Sequence, residues 1–132
     1  MRIFLDTNVL VSATATRGLC ADILREVLAL HELVVSSPLF DELERVLSRK
    51  FGLSDDLISE VIEFLREDTI LSNPGKLFNI RINDQDDVII LSSALNGRAE
   101  VFVTGDKEVL RLRKIGGLEI LSPREFWERL KA

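Results

Sequence analysis

Two hydrophobic periods alternate along the chain. Ile3-Phe4-Leu5, Leu33-Val34-Val35 and Val101-Phe102-Val103 are continuous apolar runs, the pattern of short strands covered on both faces. Elsewhere apolar residues recur every third or fourth position, as in Leu39, Leu43, Val46 and Leu47, which gives a helix one buried stripe. The order that results is strand 2–5, helices near 8–15 and 19–30, strand 32–36, helices 38–50 and 55–67, and an extended piece near 69–72. After a turn at Asn73-Pro74-Gly75 come helix 86–96, strand 101–104, a short helix 106–112, strand 118–121 and a last helix 123–131. Such alternation specifies an α/β fold with a central, mainly parallel sheet.

Boundary residues agree with this order. Ser37 before Pro38 reads as a cap with proline at the first helical position, where its missing N–H costs nothing. Ser122-Pro123-Arg124-Glu125 repeats the device and adds a capping-box glutamate. Gly97, Gly116 and Gly117 follow helical stretches and suit left-handed terminations.

Composition narrows the class. The 132 residues suffice for a single domain, 1–132, with a proper core, and 46% hydrophobic with 30% charged residues is ordinary globular usage. No apolar run reaches the ~18 residues of a membrane span. Asp6-Thr7-Asn8 interrupts the apolar amino-terminal stretch, so that stretch reads as structure rather than a signal peptide, and the protein as cytoplasmic. Cys20 is the only cysteine, which excludes an internal disulfide or a cysteine metal cluster. The net charge of −5, from 17 basic and 22 acidic residues, weighs against a nucleic-acid partner unless cations are concentrated locally. Arg45, Arg49 and Lys50 form one such cluster, and Lys107, Arg111, Arg113 and Lys114 another, although charge runs are ordinarily solvated helix faces.

The acids carry the candidate chemistry. Asp6 ends the first strand and Asp106 follows Val101-Phe102-Val103-Thr104-Gly105, so each stands at the carboxyl edge of the sheet, where open α/β folds bind ligands. Each also reads as an Asx turn or helix cap. Thr7, Asn8 and Thr104 are placed to orient the carboxylates, and Gly105 to allow a tight turn between Thr104 and Asp106. Glu42 lies beside the buried stripe of its helix, where either a metal ion or an arginine would pair it. Asp84, Asp86 and Asp87 crowd a helix entrance. Asp87 points toward the inner face, whereas Asp84 and Asp86 read as capping or flanking acids. One pocket containing Asp6, Glu42, Asp87 and Asp106 suits a hard, oxygen-preferring cation, Mg²⁺ or Mn²⁺. With a phosphodiester substrate, such a cation activates water and neutralises transition-state charge.

Other chemistries lack their parts. His31 is the single histidine, at a helix end, which excludes histidine-pair acid–base cleavage. There is no phosphate-cradling Walker loop, nucleophile elbow or dinucleotide glycine turn. With no Tyr and one Trp, an aromatic base-stacking platform is not expected. An aspartate-phosphorylating receiver or phosphatase fits poorly, because Asp6-Thr7-Asn8 lacks the second acid of a DxD motif and no lysine is suitably placed after a later strand.

Taken in order, Asp6-Thr7-Asn8-Val9-Leu10, Glu42-Leu43-Glu44-Arg45-Val46-Leu47, Asp87-Val88-Ile89 and Val103-Thr104-Gly105-Asp106-Lys107-Glu108-Val109-Leu110 resemble the PIN domain, over nearly the whole chain. More narrowly they resemble its toxin-component (VapC-like) branch in prokaryotic toxin–antitoxin systems. The resemblance implies a three-layer α/β/α sandwich and Mg²⁺- or Mn²⁺-dependent cleavage of RNA. It matches Asp6, Glu42, Asp87 and Asp106 to the metal-binding catalytic acids and Thr7, Asn8 and Thr104 to their supports. It further implies a small antitoxin partner and a homodimer. The alternative is a non-catalytic PIN-like domain that binds protein or RNA.

Overall fold

The computed structural model of the chain describes residues 1–72 and 75–132, so Asn73 and Pro74 of the expected turn lie outside the described residues. The elements are β1 (Arg2–Leu5), α1 (Thr7–Ala15), α2 (Leu19–Leu30), β2 (Glu32–Ser36), α3 (Ser37–Arg49), α4 (Asp55–Arg66) and β3 (Ile70–Ser72). They continue as α5 (Gln85–Asn96), β4 (Val101–Val103), α6 (Lys107–Leu110), β5 (Lys114–Ile115), β6 (Leu118–Leu121) and α7 (Pro123–Lys131). The six strands form one sheet in the order β3-β2-β1-β4-β6-β5, parallel except for β5 against β6.

Ile3, Phe4 and Leu5 are all fully buried, as are Val34 and Val35. Successive strand residues point to opposite faces, so helices must cover both sides of the sheet. The sandwich is therefore three-layered, as the apolar runs require. Phe4 and Phe102 are register partners on β1 and β4, and their rings stack at 5.3 Å between centroids. This aromatic pair fixes the centre of the sheet directly beneath the strand ends that carry Asp6 and Thr104.

The strand order defines where a ligand belongs. From β1 the chain winds outward through β2 to β3, then crosses back to place β4 on the other side of β1. The carboxyl edge between β1 and β4 is thus the point at which the winding reverses, and a crevice opens there. Gly97, after α5, makes the return crossing possible. A Cβ there would lie 2.6 Å from Val34 Cγ1 and 3.0 Å from Ser72 Cβ, so the end of α5 packs directly on β2 and β3.

Several boundary expectations need correction. Ser36, not Ser37, caps α3: its hydroxyl accepts from Leu39 N, and Pro38 falls one position inside the helix. Gly97 has φ −81°, and the left-handed residue after α5 is Arg98, at φ +58°. Gly116 does adopt φ +56°, but as a turn between β5 and β6, a hairpin absent from the expected order. The helix expected over 106–112 shortens to Lys107–Leu110 because the chain turns into that hairpin. The capping box at Ser122 and Glu125 is present in both directions.

Candidate active site

Asp6 is the first residue beyond β1, and its N–H continues the sheet by donating to Val103 O at 2.9 Å. Its carboxylate is held from two sides. Oδ1 accepts from Thr7 N at 2.8 Å, and Oδ2 accepts from the Thr104 hydroxyl at 2.7 Å. Thr104 Oγ1 in turn accepts from Asp106 N at 3.0 Å, so one hydroxyl joins the two strand-end acids. Asn8 supports the geometry differently from expectation. Its Oδ1 accepts from Gly105 N at 3.3 Å, tying the loop after β4 to α1 rather than binding the Asp6 carboxylate. Thr7 contributes its backbone N–H, while its buried hydroxyl has no partner among the described residues. Gly105 is not sterically demanded, since a Cβ there would meet only Asn8 Oδ1 at 3.8 Å.

The opposite wall comes from helices. Glu42 projects from α3, which starts where β2 ends, and Asp87 from the first turn of α5. Both are half-buried, and neither makes a side-chain hydrogen bond or ion pair among the described residues. No arginine pairs Glu42. Asp84 and Asp86 are exposed; Asp84 Oδ1 accepts from Asp86 N at 2.9 Å as the cap of α5. Asp106 likewise caps α6 through Glu108 N at 2.9 Å. Capping therefore accounts for Asp84, describes only part of what Asp6 and Asp106 do, and does not touch Glu42 or Asp87.

Asp6, Glu42, Asp87 and Asp106 meet in one cleft of about 470 Å³, a size typical of ligand sites. Thr7 and Asn8 line it too, while Thr104 stays fully buried behind Asp6. Asp84 and Asp86 line a neighbouring depression with Arg45, Arg49 and Lys50. The electrostatic signature is that of acids gathered without an ion-paired cation among the described residues, the cleft's Lys50 included. Burial pushes the Asp6 carboxyl up from 3.8 to about 6, against the pull of its bonds to Thr104 and Thr7, with Glu42 and Asp106 adding repulsion. Burial also raises Asp87, to about 7, helped by repulsion from Asp84, Asp106, Asp6 and Glu42.

The donor set is entirely oxygen, which suits Mg²⁺ or Mn²⁺ and not a softer metal. Among the described residues no three acids close into a ready-made cage. A cage is not what Mg²⁺ chemistry requires: the ion keeps several waters and uses one or two carboxylates together with substrate phosphates. The fit is to an open, substrate-completed site.

The far end of the cleft was not anticipated from the sequence. Ser12 on α1 and Thr16, the residue just after that helix, continue from Asn8 at intervals of four; Val46 on α3 and Lys50, just after that helix, continue likewise from Glu42. Val11 and Phe51 complete the lining. The available signal was the polar series Asn8, Ser12, Thr16, which lies along one helix face.

A family model described as PIN domain matches residues 2–108. The chain belongs to the PIN domain family, whose members are generally nucleases that use divalent metals. No curated protein matches it by sequence. Among solved structures it is similar to a chain of the VapBC2 complex of Rickettsia felis bound to a promoter DNA fragment, with TM-score 0.64 and 16% identity over 92% of this chain and 98% of that one. It is also similar to a chain of VapBC-1 from nontypeable Haemophilus influenzae (TM-score 0.61, 21% identity, 94% and 99% coverage). A third likeness is to the PIN domain of T. brucei RRP44, with TM-score 0.57, 14% identity and 97% and 79% coverage. At these identities the likeness is one of fold.

Proposed function

We propose that this chain is a divalent-metal-dependent endoribonuclease acting in the cytoplasm as a single domain, and the toxin component of a toxin–antitoxin pair. The observation that carries the enzymatic reading is the meeting of Asp6, Glu42, Asp87 and Asp106 in one cleft at the switch point of the sheet. The toxin reading is supported by the resemblance in fold to chains of two VapBC complexes, and it implies a small antitoxin partner. A homodimer belongs to the same reading. Exposed Leu57 and Phe64, two turns apart on α4, offer apolar surface for such contacts. No helix among the described residues is long and apolar enough to cross a membrane.

The residues that would hold the cation are Asp6, Glu42, Asp87 and Asp106. A divalent ion bound there supplies charge neutralisation at the phosphate and a more acidic water. The chain's own part is orientation. Thr104 and Thr7 fix both oxygens of Asp6, so this carboxylate need not reorganise when substrate arrives. Asn8 locks the neighbouring loop through Gly105, which keeps Asp106 in place beside Asp6 on the strand wall. Glu42 and Asp87, free of such bonds, adjust to the phosphate from the other wall.

The test is cleavage of a labelled RNA panel by purified protein with Mn²⁺ or Mg²⁺, beside Asp6→Asn prepared identically. Metal-dependent cleavage that vanishes in Asp6→Asn supports the nuclease. Equal cleavage by both proteins, or none by either, counts against it, and the latter favours a non-catalytic binding domain.

A further inference from the structure

The acid-lined end occupies only part of the cleft. Beyond it, α1 and α3 face each other along two ridges, Asn8–Ser12–Thr16 and Glu42–Val46–Lys50, each about 12 Å long at helical rise. Phe51 closes the far end and is 46% exposed, the one aromatic side chain in this cleft. The turn that follows it is bonded in place. Gly52 at φ +61° turns the chain, Gly52 N donates to Ser48 O, and Leu53 N donates to Leu47 O, a Schellman-type closure. Leu53 then packs against the core. A half-exposed phenylalanine on a fixed turn, joined by a groove to a phosphate-cleaving site, is placed to receive something flat and apolar.

The cations nearby point to what that is. Arg45, Arg49 and Lys50 form no ion pair or side-chain hydrogen bond among the described residues, although Asp84 and Asp86 line the same depression. Other basic side chains, such as Arg17, Arg98 and Arg111, are also without an ion pair among the described residues, so what sets these three apart is their place: they line the depression that adjoins the cleft, and Lys50 lines the cleft itself. Unpaired cations along the groove are complementary to a polyanion that carries apolar rings at regular intervals.

We infer that the end of the cleft formed by Phe51, Val46 and Val11 is a nucleobase subsite, in which a base next to the scissile phosphate stacks on Phe51 while Lys50 and Arg49 hold the adjoining backbone phosphates. The inference rests on the nuclease reading, and it requires the stacked base to be unpaired, because a base within a duplex has no free face to offer. Ser12 and Thr16 line the same end; the Thr16 hydroxyl donates to Ser12 O at 2.6 Å, which leaves its oxygen as an acceptor beside the subsite. With no Tyr and one Trp an extended stacking platform is not expected, but one phenylalanine in the right place suffices for one base.

The experiment uses the full chain carrying Asp6→Asn, so that RNA is bound but not cut. Binding of a fluorescein-labelled RNA hexamer is measured by anisotropy, alongside hexamers with a single abasic position moved along the strand. Phe51→Ala should weaken binding roughly five- to twenty-fold, the lower part of the range for one stacked base. One abasic position should weaken it equally, and the two losses should not add, because both remove the same contact. Phe51→Trp should restore affinity, and Lys50→Gln should lower the salt slope by about one. With Asp6 intact, Phe51→Ala should raise KM while kcat stays within about twofold. If cleavage by the wild-type chain persists but Phe51→Ala changes neither KM nor hexamer affinity, the subsite is overturned and the nuclease reading stands. If wild-type protein cleaves no RNA and the hexamer does not bind, both fall. A Phe51→Ala protein that binds RNA normally but loses self-association in sedimentation would reassign this surface to contact between copies and overturn the subsite.

Discussion

The two walls of the cleft hold their acids in different ways. On the strand side, Asp6 is deeply buried and fixed through both oxygens, and Thr104, Asn8 and Gly105 knit the ends of β1 and β4 into one bonded unit. On the helix side, Glu42 and Asp87 are half-buried and free of hydrogen bonds among the described residues. Both Asp6 and Asp87 are nonetheless pushed well above the ordinary carboxylate range. The strand wall is a fixed reference for the chemistry. On the proposed function, the helix wall is the part that adapts to cation and phosphate.

The sharpest break of this contrast is Asp6→Asn. It should lower cleavage about a thousandfold or more while leaving the fold intact, measured as metal-dependent turnover of labelled RNA. Thr104→Val comes next. It deprives a buried carboxylate of a charge-assisted bond and Asp106 N of its acceptor, so activity should fall about 10- to 100-fold. On the helix wall, Glu42→Gln should act mainly through the apparent affinity for Mn²⁺, about tenfold, because no bonded network depends on it.

Stability gives a smaller effect with a defined sign. Folding raises Asp6 to about 6 and Asp87 to about 7, so the folded chain binds these protons more tightly than the unfolded one. Without divalent ions, the contribution of these two acids to stability is therefore fully present below about pH 4 and is lost as pH rises through 6 to 7. Asp6 accounts for a loss on the order of 2–3 kcal/mol, and Asp87 for less, because solvent screens its exposed side. Asp6→Asn should consequently melt several degrees higher than the wild-type chain at pH 7.5, with the gap closing toward pH 5. Gly97→Ala is the control away from the cleft. It should destabilise by about 1–3 kcal/mol through the clash with Val34 and leave the Mn²⁺ affinity unchanged.

Legibility in the sequence followed the same division. The strand wall was readable because Asp6 and Asp106 follow apolar runs that can only be buried parallel strands, and such strands share a carboxyl edge. Asp87 and Glu42 were readable from helix phase, the former by its distance from Ile90 and Leu91 and the latter by its spacing from Leu39 and Val46. Helix phase also separated Asp87 from Asp84 and Asp86, which the structure leaves outside the acidic cleft. What one-dimensional pattern does not carry is the pairing of two ridges across space. Nothing in Asn8–Ser12–Thr16 or in Lys50-Phe51 announces that α1 and α3 face one another. The β5–β6 hairpin escaped for a related reason, since a two-residue strand has no period to detect. The role of Asn8 depended on which loop β4 would bring beside it.

The central claim is that the four acids act as one cation site. It is tested most directly by titrating Mn²⁺ into the metal-free protein by calorimetry at pH 7, in two buffers of different ionisation enthalpy. Because Asp6 and Asp87 are raised toward neutrality, binding should release protons and the apparent heat should depend on the buffer. Asp6→Asn and Asp106→Asn should both abolish or greatly weaken it. An absence of Mn²⁺ binding, or isotherms that these substitutions on opposite sides of the β1–β4 crevice leave unchanged, would contradict the account.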